Sequence, residues 1–109
     1  MIDPGSAYTL VHAPIIQSFG LTYAGKLVPI FTPSTGSSSV TLRAFHVSLT
    51  IMNQPTVPRS NLVMNSIPVV EAQLDSFAAL GVQVVIGCAV LERCLFFYEG
   101  PSKLFSLAY

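Results

Sequence analysis

The amino-acid sequence predicts a single, mainly β domain with a few short helices. Its length of 109 residues suits one domain, residues 1–109. Eight prolines and seven glycines divide the chain into short segments, which is typical of strands joined by turns. The segments between them are rich in β-branched and aromatic residues, most clearly over residues 40–52 and 82–86. Hydrophobic residues make up 51% of the chain and charged residues 9%, which provides for a core and excludes a disordered chain.

The first part of the chain predicts two strands on either side of a short helix. Residues 8–11 are expected to be extended. Residues 15–19 are expected to be helical, because Pro14 suits the first position of a helix. Residues 26–32 predict a strand at the edge of a sheet, since Pro29 has no N–H to donate to a neighbouring strand.

The middle of the chain predicts two longer strands. Small polar residues over 33–39 indicate a loop tip before the first of them. Along residues 40–52 the apolar positions change from even to odd numbers, which predicts a β-bulge near residues 44 and 45. A proline-rich loop separates this strand from a second extended segment over residues 61–70.

The last third of the chain predicts short helices, a buried strand and a hairpin. Residues 71–80 are expected to form a helix that ends before a glycine. The apolar run over residues 82–86 predicts a buried strand, and residues 89–93 a short helix. Residues 95–99 and 103–109 flank a Gly-Pro-Ser segment, which is typical of a β-hairpin.

Composition limits the partners that this chain can have. Five basic and five acidic residues give a net charge of zero, and they are scattered singly along the chain. No basic stripe is present to follow a phosphate backbone, so nucleic acid is not expected as a partner. Neutral surfaces with few charges tend to associate, and we therefore expect an interface between subunits.

The sequence also predicts a cytoplasmic protein without a membrane span, metal or cofactor. The best candidate span, residues 76–91, is shorter than the ~20 apolar residues that a bilayer requires. No basic segment precedes an apolar run at the start, so no signal peptide is expected. Cys88 and Cys94 lack metal-ligand spacing and are too few for a disulfide scaffold.

Two motifs carry a resemblance to a known family. The first is Ile2-Asp3-Pro4-Gly5-Ser6, an aspartate and a glycine turn after apolar residues; the second is Val84-Val85-Ile86-Gly87, an apolar strand and a glycine before a short helix. Together they resemble the retropepsin-like aspartic proteases, and in particular their bacterial single-domain relatives. The resemblance covers nearly the whole chain and implies a closed β-barrel lobe.

The resemblance also implies an activity and a set of site residues. In that family two aspartates share one proton and activate a water against a peptide bond. Asp3 would supply one carboxylate, Gly5 would let the backbone approach it, and the Ser6 hydroxyl would hydrogen-bond to it. Because the chain has one such motif, the second carboxylate would come from an identical subunit in a homodimer. A flap over an extended peptide or protein substrate would contain Ser34, Thr35, Gly36 and Ser37.

Departures from the family pattern leave alternatives open. Pro4 stands where the family has threonine, and Cys88 and Ala89 stand where bacterial members have arginine and aspartate. The strands that precede the aspartate in the family are absent from this sequence. We therefore expect a fragment, a start placed too late, or a catalytically inactive relative that binds peptides or subunits. A β-barrel binding module unrelated to peptidases is a third reading, and it predicts that Asp3 lies far from Gly87.

Other residues have plainer explanations in the sequence. Glu71 and Asp75 are expected on one helical face, where two acidic residues usually mark a solvated surface and not a glycosidase pair. The two cysteines are expected to be small apolar core residues, since no histidine is placed to activate a thiol. His12 is expected at the start of a helix and His46 on the solvent face of a strand.

Overall fold

The computed structural model of the protein describes residues 1–21, 23, 25–31, 38–52 and 61–109, without the side chains of residues 76 and 77. In chain order the elements are β1 (Thr9–His12), α1 (Ala13–Ser18), β2 (Lys26–Ile30), β3 (Val40–Ile51), β4 (Leu62–Ala72), α2 (Asp75–Ala78), β5 (Val84–Val85), α3 (Cys88–Leu91), β6 (Leu95–Glu99) and β7 (Leu104–Ala108). The expected mainly β class with short helices is confirmed. None of the helices in these ranges is long and apolar enough to cross a membrane.

Five strands form one sheet in the order β2-β3-β4-β1-β5, and β6 and β7 form a separate hairpin. Strands β1 and β4 are parallel, whereas the other neighbours in the sheet are antiparallel. The parallel pair places β1 inside the sheet, between β4 and β5. Within the described ranges the strands do not close into a barrel.

Strand β2 lies at the edge of the sheet, as its proline predicts. Pro29 is opposite Thr41 in the antiparallel pair with β3. Proline cannot donate a ladder hydrogen bond, so an edge strand accommodates it at little cost. In the same pairing Ile30 is opposite Val40, so the end of β2 and the start of β3 lie side by side.

The bulge expected near residues 44 and 45 is wrong; the irregularity lies further along and on the other strand. The register shifts between Val47, which is opposite Ile67, and Leu49, which is opposite Met64. Strand β4 therefore has one more residue than β3 in this interval, and its Ser66 adopts a left-handed conformation with φ 56°.

Along β3 the apolar residues change from even-numbered to odd-numbered positions for a different reason. Both faces of the sheet are covered there, so apolar side chains are buried on either face. Ala44 packs with Val28 and Val70 on one face, whereas Phe45 belongs to the larger cluster on the other. The larger cluster joins residues of the sheet to the two helices on its face, namely Val11, Ile16, Phe45, Met64, Ile67, Val69 and Val90. Full burial of each such side chain contributes about 1.5–3 kcal/mol, so this cluster is the principal core.

The helix expected over residues 71–80 is wrong in its first half. Glu71 and Ala72 belong to β4, and helix α2 extends over Asp75–Ala78 only. Glu71 is buried and paired with Arg43 of β3, and this contact with a neighbouring strand outweighs local helix propensity. Gly81 has φ 78°, consistent with its expected role after a helix.

Candidate functional site

The amino-terminal residues lie alongside the buried strand that ends in Gly87. The amino group of Met1 donates to the carbonyl of Val84 (2.9 Å), and the N–H of Ile86 donates to the carbonyl of Met1 (2.8 Å). Ile2 and Ile86 form a parallel bridge. The segment 84–86 therefore has a partner on each side: residues 1–3 run parallel to it, and β1 runs antiparallel.

Asp3 begins a tight turn, residues 3–6, that we call the Asp3 turn. Its backbone N–H donates to the carbonyl of Ile86 (2.9 Å), which ties it to the buried strand. The N–H of Ser6 donates to the Asp3 carbonyl (3.1 Å), and the N–H of Gly5 donates to the Asp3 carboxylate oxygen Oδ1 (2.9 Å). An aspartate that accepts from the backbone two residues later is typical of such turns. The carboxylate is thus oriented by its own turn and is half-buried.

Gly87 lies against the carboxyl-terminal end of the same turn. The N–H of Cys88 donates to the Ser6 carbonyl (2.8 Å), and the N–H of Gly87 donates to the hydroxyl of Thr9 (3.2 Å). A Cβ atom on Gly87 would lie only 2.7 Å from the Ser6 carbonyl oxygen and closer still to that of Tyr8. Only glycine allows this approach, so the two motifs identified in the sequence are in direct backbone contact.

Ser6 and Gly5 differ in how they meet their expected roles. Gly5 donates its backbone N–H to the carboxylate, and a Cβ atom there would be 3.2 Å from Oδ1, so the close approach expected of this glycine is present. The Ser6 hydroxyl instead donates to the carbonyl of Tyr8 (2.7 Å). A hydroxyl has one proton to donate, so Ser6 stabilises the exit of the turn and does not donate to Asp3.

A hollow lies between the Asp3 turn and the edge strand. Its volume is about 220 Å³, and it is lined by residues 5–8 on one side and by Pro29, Ile30 and Phe31 on the other. Phe31 is exposed, at 67% of its surface. The Asp3 turn, through Gly5 and Ser6, and an exposed aromatic side chain thus border the same concave surface. The expected flap residues Ser34, Thr35, Gly36 and Ser37 lie outside the described residues.

The thiol of Cys88 contacts the Asp3 turn as well. Its Sγ is 3.2 Å from the Pro4 carbonyl oxygen, to which it can donate. Cys94 lies at the other end of the short helix, where its Sγ is 3.7 Å from the Val90 carbonyl oxygen. Burial raises the pKa of the Cys94 thiol, which disfavours the reactive thiolate. Both thiols are free and half-buried, so each packs as a small side chain at the margin of the core.

Glu71 and Asp75 do not share a helical face, and the expectation that they do is wrong. Glu71 lies in β4, where its Oε2 accepts from Nε (2.7 Å) and Nη2 (2.6 Å) of Arg43. Asp75 lies on α2, with its Oδ1 3.9 Å from Nε2 of the buried His12. In the part of the chain that the structure describes, no group of three or more His, Cys, Asp or Glu side chains is placed to hold a metal ion.

Sequence reasoning missed Thr9. Its side chain is fully buried, and its hydroxyl accepts the N–H of Gly87. The available signal was a threonine at an inward position of a strand whose other inward residues are apolar, since a buried hydroxyl must have a hydrogen-bond partner. The residue therefore satisfies the buried N–H of Gly87 and ties the second motif to β1.

Comparisons of the chain with models of known protein families, with curated proteins and with solved structures found no match.

Proposed function

We propose that this chain is an aspartic endopeptidase domain of the retropepsin type, which hydrolyses peptide bonds as a homodimer through Asp3 of each subunit. The observation that carries the proposal is the contact between the two motifs: the Asp3 turn is hydrogen-bonded to Ile86 at its start and to Cys88 at its end. This contact also argues against an unrelated β module, for which Asp3 was expected to lie far from Gly87. The closed retropepsin-type barrel is part of the same proposal.

The chemistry requires two carboxylates about 3 Å apart that share one proton. The ionised carboxylate takes a proton from water, whose oxygen forms a bond to the carbonyl carbon of the substrate. The protonated carboxylic acid donates its proton to the carbonyl oxygen. When the tetrahedral intermediate collapses, the C–N bond breaks and the nitrogen receives a proton, which leaves an acid and an amine.

A single chain supplies one of these two groups. The other aspartate, Asp75, is on α2 and 82% exposed, and it faces His12. It has no glycine turn around it. An identical subunit related by a twofold axis would bring a second Asp3 to the first, since such an axis places equivalent residues of two chains opposite each other.

The hollow beside the Asp3 turn supports a peptide as the substrate. An extended peptide binds through main-chain hydrogen bonds and through pockets for alternate side chains. Residues 5–8 form one wall, and on the other wall Pro29, Ile30 and the exposed Phe31 offer apolar side chains to a peptide. The end of β2 borders the hollow and pairs with the start of β3. The segment that joins these two strands is therefore the proposed flap over the substrate.

A second candidate function is peptide or subunit binding without catalysis, and Pro4 favours it. In the family that the chain resembles, a threonine at this position links the two active-site turns through its hydroxyl and its N–H. Proline has neither donor. Cys88, which donates to the Pro4 carbonyl, stands where bacterial members have arginine.

The test is cleavage of a mixture of unstructured peptides, followed by mass spectrometry between acidic and neutral pH. Asp3→Asn is expected to lower the rate at least ~100-fold, because it removes both acid and base function from the pair. Asp75→Asn is the matched control and is expected to retain activity. Equal rates for wild type and Asp3→Asn would overturn the catalytic proposal, and cleavage only after Pro4→Thr would identify an inactive relative.

A further inference from the structure

The end of β4 carries a buried charge that the proposed peptidase chemistry does not use. The side chain of Glu71 is only 10% exposed, and it is paired with Arg43 of β3. Both contacts, from Nε (2.7 Å) and from Nη2 (2.6 Å) of Arg43, reach the same carboxylate oxygen, Oε2. A carboxylate has two oxygens with about four acceptor sites between them. Arg43 therefore leaves the acceptor sites of Oε1 for a second donor.

Two aromatic rings hold Arg43 in place together with Glu71. The guanidinium carbon Cζ lies 5.9 Å from the centre of the Tyr23 ring and 5.8 Å from that of the Phe45 ring. A cation at this distance is attracted to the electron-rich face of a ring. The guanidinium has further N–H donors, on Nη1 and Nη2, beyond the two that Glu71 accepts. Because the arginine side chain is half-exposed, these donors remain accessible.

A hollow of about 230 Å³, which we call the Arg43 hollow, contains this ion pair in its wall. Three exposed polar residues line it as well, namely Gln17 of α1, Thr41 of β3 and Gln73 after β4. An amide group and a hydroxyl group can each both donate and accept a hydrogen bond. The Arg43 hollow thus offers one negative charge, one positive charge and neutral polar groups around them.

The Arg43 hollow and the hollow beside the Asp3 turn lie on opposite faces of the main sheet. Arg43 is two residues from Phe45 along β3, so their side chains share the face on which the larger cluster and α1 lie. The hollow beside the Asp3 turn is lined by Tyr8 and Ile30, which pack against the smaller cluster on the other face. A ligand in the Arg43 hollow therefore does not compete for the proposed peptidase site.

The paired charges complement those of a free α-amino acid. Its ammonium and carboxylate groups are attached to one carbon, so its two charges are close together, as those of the ion pair are. The ammonium group would donate to Oε1 of Glu71, and the carboxylate would accept from Arg43, which gives two charge-assisted hydrogen bonds. A third charge on the ligand would meet no opposite charge among the described residues that line the hollow.

The volume limits the size of this amino acid. An engineered cavity of about 150 Å³ holds benzene, which has six non-hydrogen atoms. By the same ratio the 230 Å³ of the Arg43 hollow corresponds to about nine non-hydrogen atoms, the number in leucine.

We infer that the Arg43 hollow binds a free α-amino acid with a small uncharged side chain, its ammonium group on Glu71 and its carboxylate on Arg43. The ion pair and the two rings hold the charged groups in position before the ligand arrives, which lowers the entropic cost of binding. This site goes beyond the proposed peptidase function and does not depend on it.

The test is a titration of the ¹⁵N-labelled full chain with L-leucine, followed by two-dimensional NMR. The side-chain amides of Gln17 and Gln73 lie at the hollow, and their signals are expected to shift and to saturate with a Kd of a few millimolar or lower. N-acetyl-L-leucine lacks the ammonium charge, and L-leucinamide lacks the carboxylate charge. Each is expected to bind at least ~10-fold more weakly than L-leucine, because each loses one charge-assisted hydrogen bond.

Variants of the chain test the same contacts from the protein side. Glu71→Gln removes the negative charge at nearly constant size and is expected to weaken L-leucine binding at least ~10-fold. Glu92→Gln is the matched control: Glu92 is exposed and follows α3, and its Kd is expected to stay within about twofold of wild type. Gln17→Leu leaves the ion pair intact and is expected to weaken binding about threefold through the loss of one neutral hydrogen bond. Circular dichroism shows whether each variant has folded.

Three outcomes would overturn the inference. The first is the absence of any shift of the two glutamine amides at about 20 mM L-leucine, a concentration that would saturate a millimolar site. The second is binding of either analogue as tight as that of L-leucine, since the paired charges would then not be recognised. The third is a Kd that neither Glu71→Gln nor Gln17→Leu raises above that of Glu92→Gln. Because binding is measured without cleavage, an inactive protein that binds L-leucine contradicts the proposed function alone.

Discussion

Replacement of Gly87 by alanine tests the contact between the two motifs. A Cβ atom at this buried position would lie 2.7 Å from both the Ser6 carbonyl oxygen and the Tyr8 carbonyl carbon. These are backbone atoms, which cannot rotate away as a side chain can. Residue 87 and the Asp3 turn must therefore move apart, which weakens two hydrogen bonds: the one from the N–H of residue 88 to the Ser6 carbonyl and the one from the N–H of residue 87 to the Thr9 hydroxyl.

The magnitude follows from these two effects. Overpacking of a buried site costs about 1–3 kcal/mol, and each of the two hydrogen bonds contributes about 1 kcal/mol. We expect Gly87→Ala to lower the free energy of unfolding by about 3–5 kcal/mol, which corresponds to a fall in Tm of roughly 15–30 °C for a domain of this size.

The assay is thermal unfolding followed by circular dichroism at a fixed protein concentration, because the chain contains no tryptophan for fluorescence. Gly100→Ala is the matched control, since a Cβ atom there meets only the Tyr98 ring at 3.9 Å and the backbone is not left-handed. That variant is expected to melt within a few degrees of wild type. A Gly87→Ala protein that melts as the control does would refute the close approach of the two segments.

Two further substitutions and one labelling experiment test other features of the structure. Thr9→Val leaves the buried N–H of Gly87 without its acceptor and is expected to cost about 1–3 kcal/mol in urea unfolding. Arg43→Met leaves the buried carboxylate of Glu71 unpaired; because the arginine side chain is half-exposed, water screens part of the loss, and we expect about 1–2 kcal/mol. Burial raises the pKa of the Cys94 thiol, so less of it is thiolate at pH 8, and its alkylation is expected to be slower in the folded protein than in urea.

Each of the two substitutions has a control on the same chain. Thr50 is an exposed threonine of β3, and Thr50→Val is expected to leave stability within about 0.5 kcal/mol of wild type. Arg93 is exposed, and Arg93→Met is the control for Arg43→Met, with the same small effect on stability expected. If variant and control lose the same free energy of unfolding, the Thr9 hydroxyl or the Arg43–Glu71 ion pair does not stabilise the fold. Equal alkylation of Cys94 with and without urea would contradict its burial.

Strand positions set by local sequence were predicted well. Pro29 excludes a central strand, and the structure has β2 at the edge of its sheet. The Gly-Pro-Ser segment predicts a hairpin, and β6 and β7 pair across it. In both cases the deciding property is a backbone group that is missing or a turn that only a few residues can make.

Features set by distant partners were not predictable in the same way. The pattern over residues 71–80 is helical, but Glu71 is held in β4 by Arg43, which is 28 residues away in the sequence. The apolar residues of β3 change from even-numbered to odd-numbered positions because the sheet is covered on both faces. The sequence of one strand does not show whether its second face is covered. The hydroxyl of Ser6 was expected to donate to Asp3, but it donates to the Tyr8 carbonyl, because the chain after the turn brings that oxygen within hydrogen-bond distance.

The candidate site was found through the pairing of two motifs. Asp3-Pro4-Gly5 by itself is an ordinary turn sequence, and an apolar run before a glycine is common. Besides their direct backbone contact, the second motif is held by β1, whose Thr9 hydroxyl accepts the N–H of Gly87. That residue was not predicted, because its role requires the crossing of segments that are 78 residues apart.

The central claim is that two copies of Asp3 form one catalytic site, and a mixing experiment tests it most directly. Wild-type and Asp3→Asn chains are unfolded together in equal amounts, refolded at constant total concentration and assayed for peptide cleavage. If both carboxylates are required, only the dimers of two wild-type chains are active, and the rate is about one quarter of that of wild type. A rate of about one half would mean that each chain acts by itself, and a wild-type preparation with no cleavage at all would contradict the account outright.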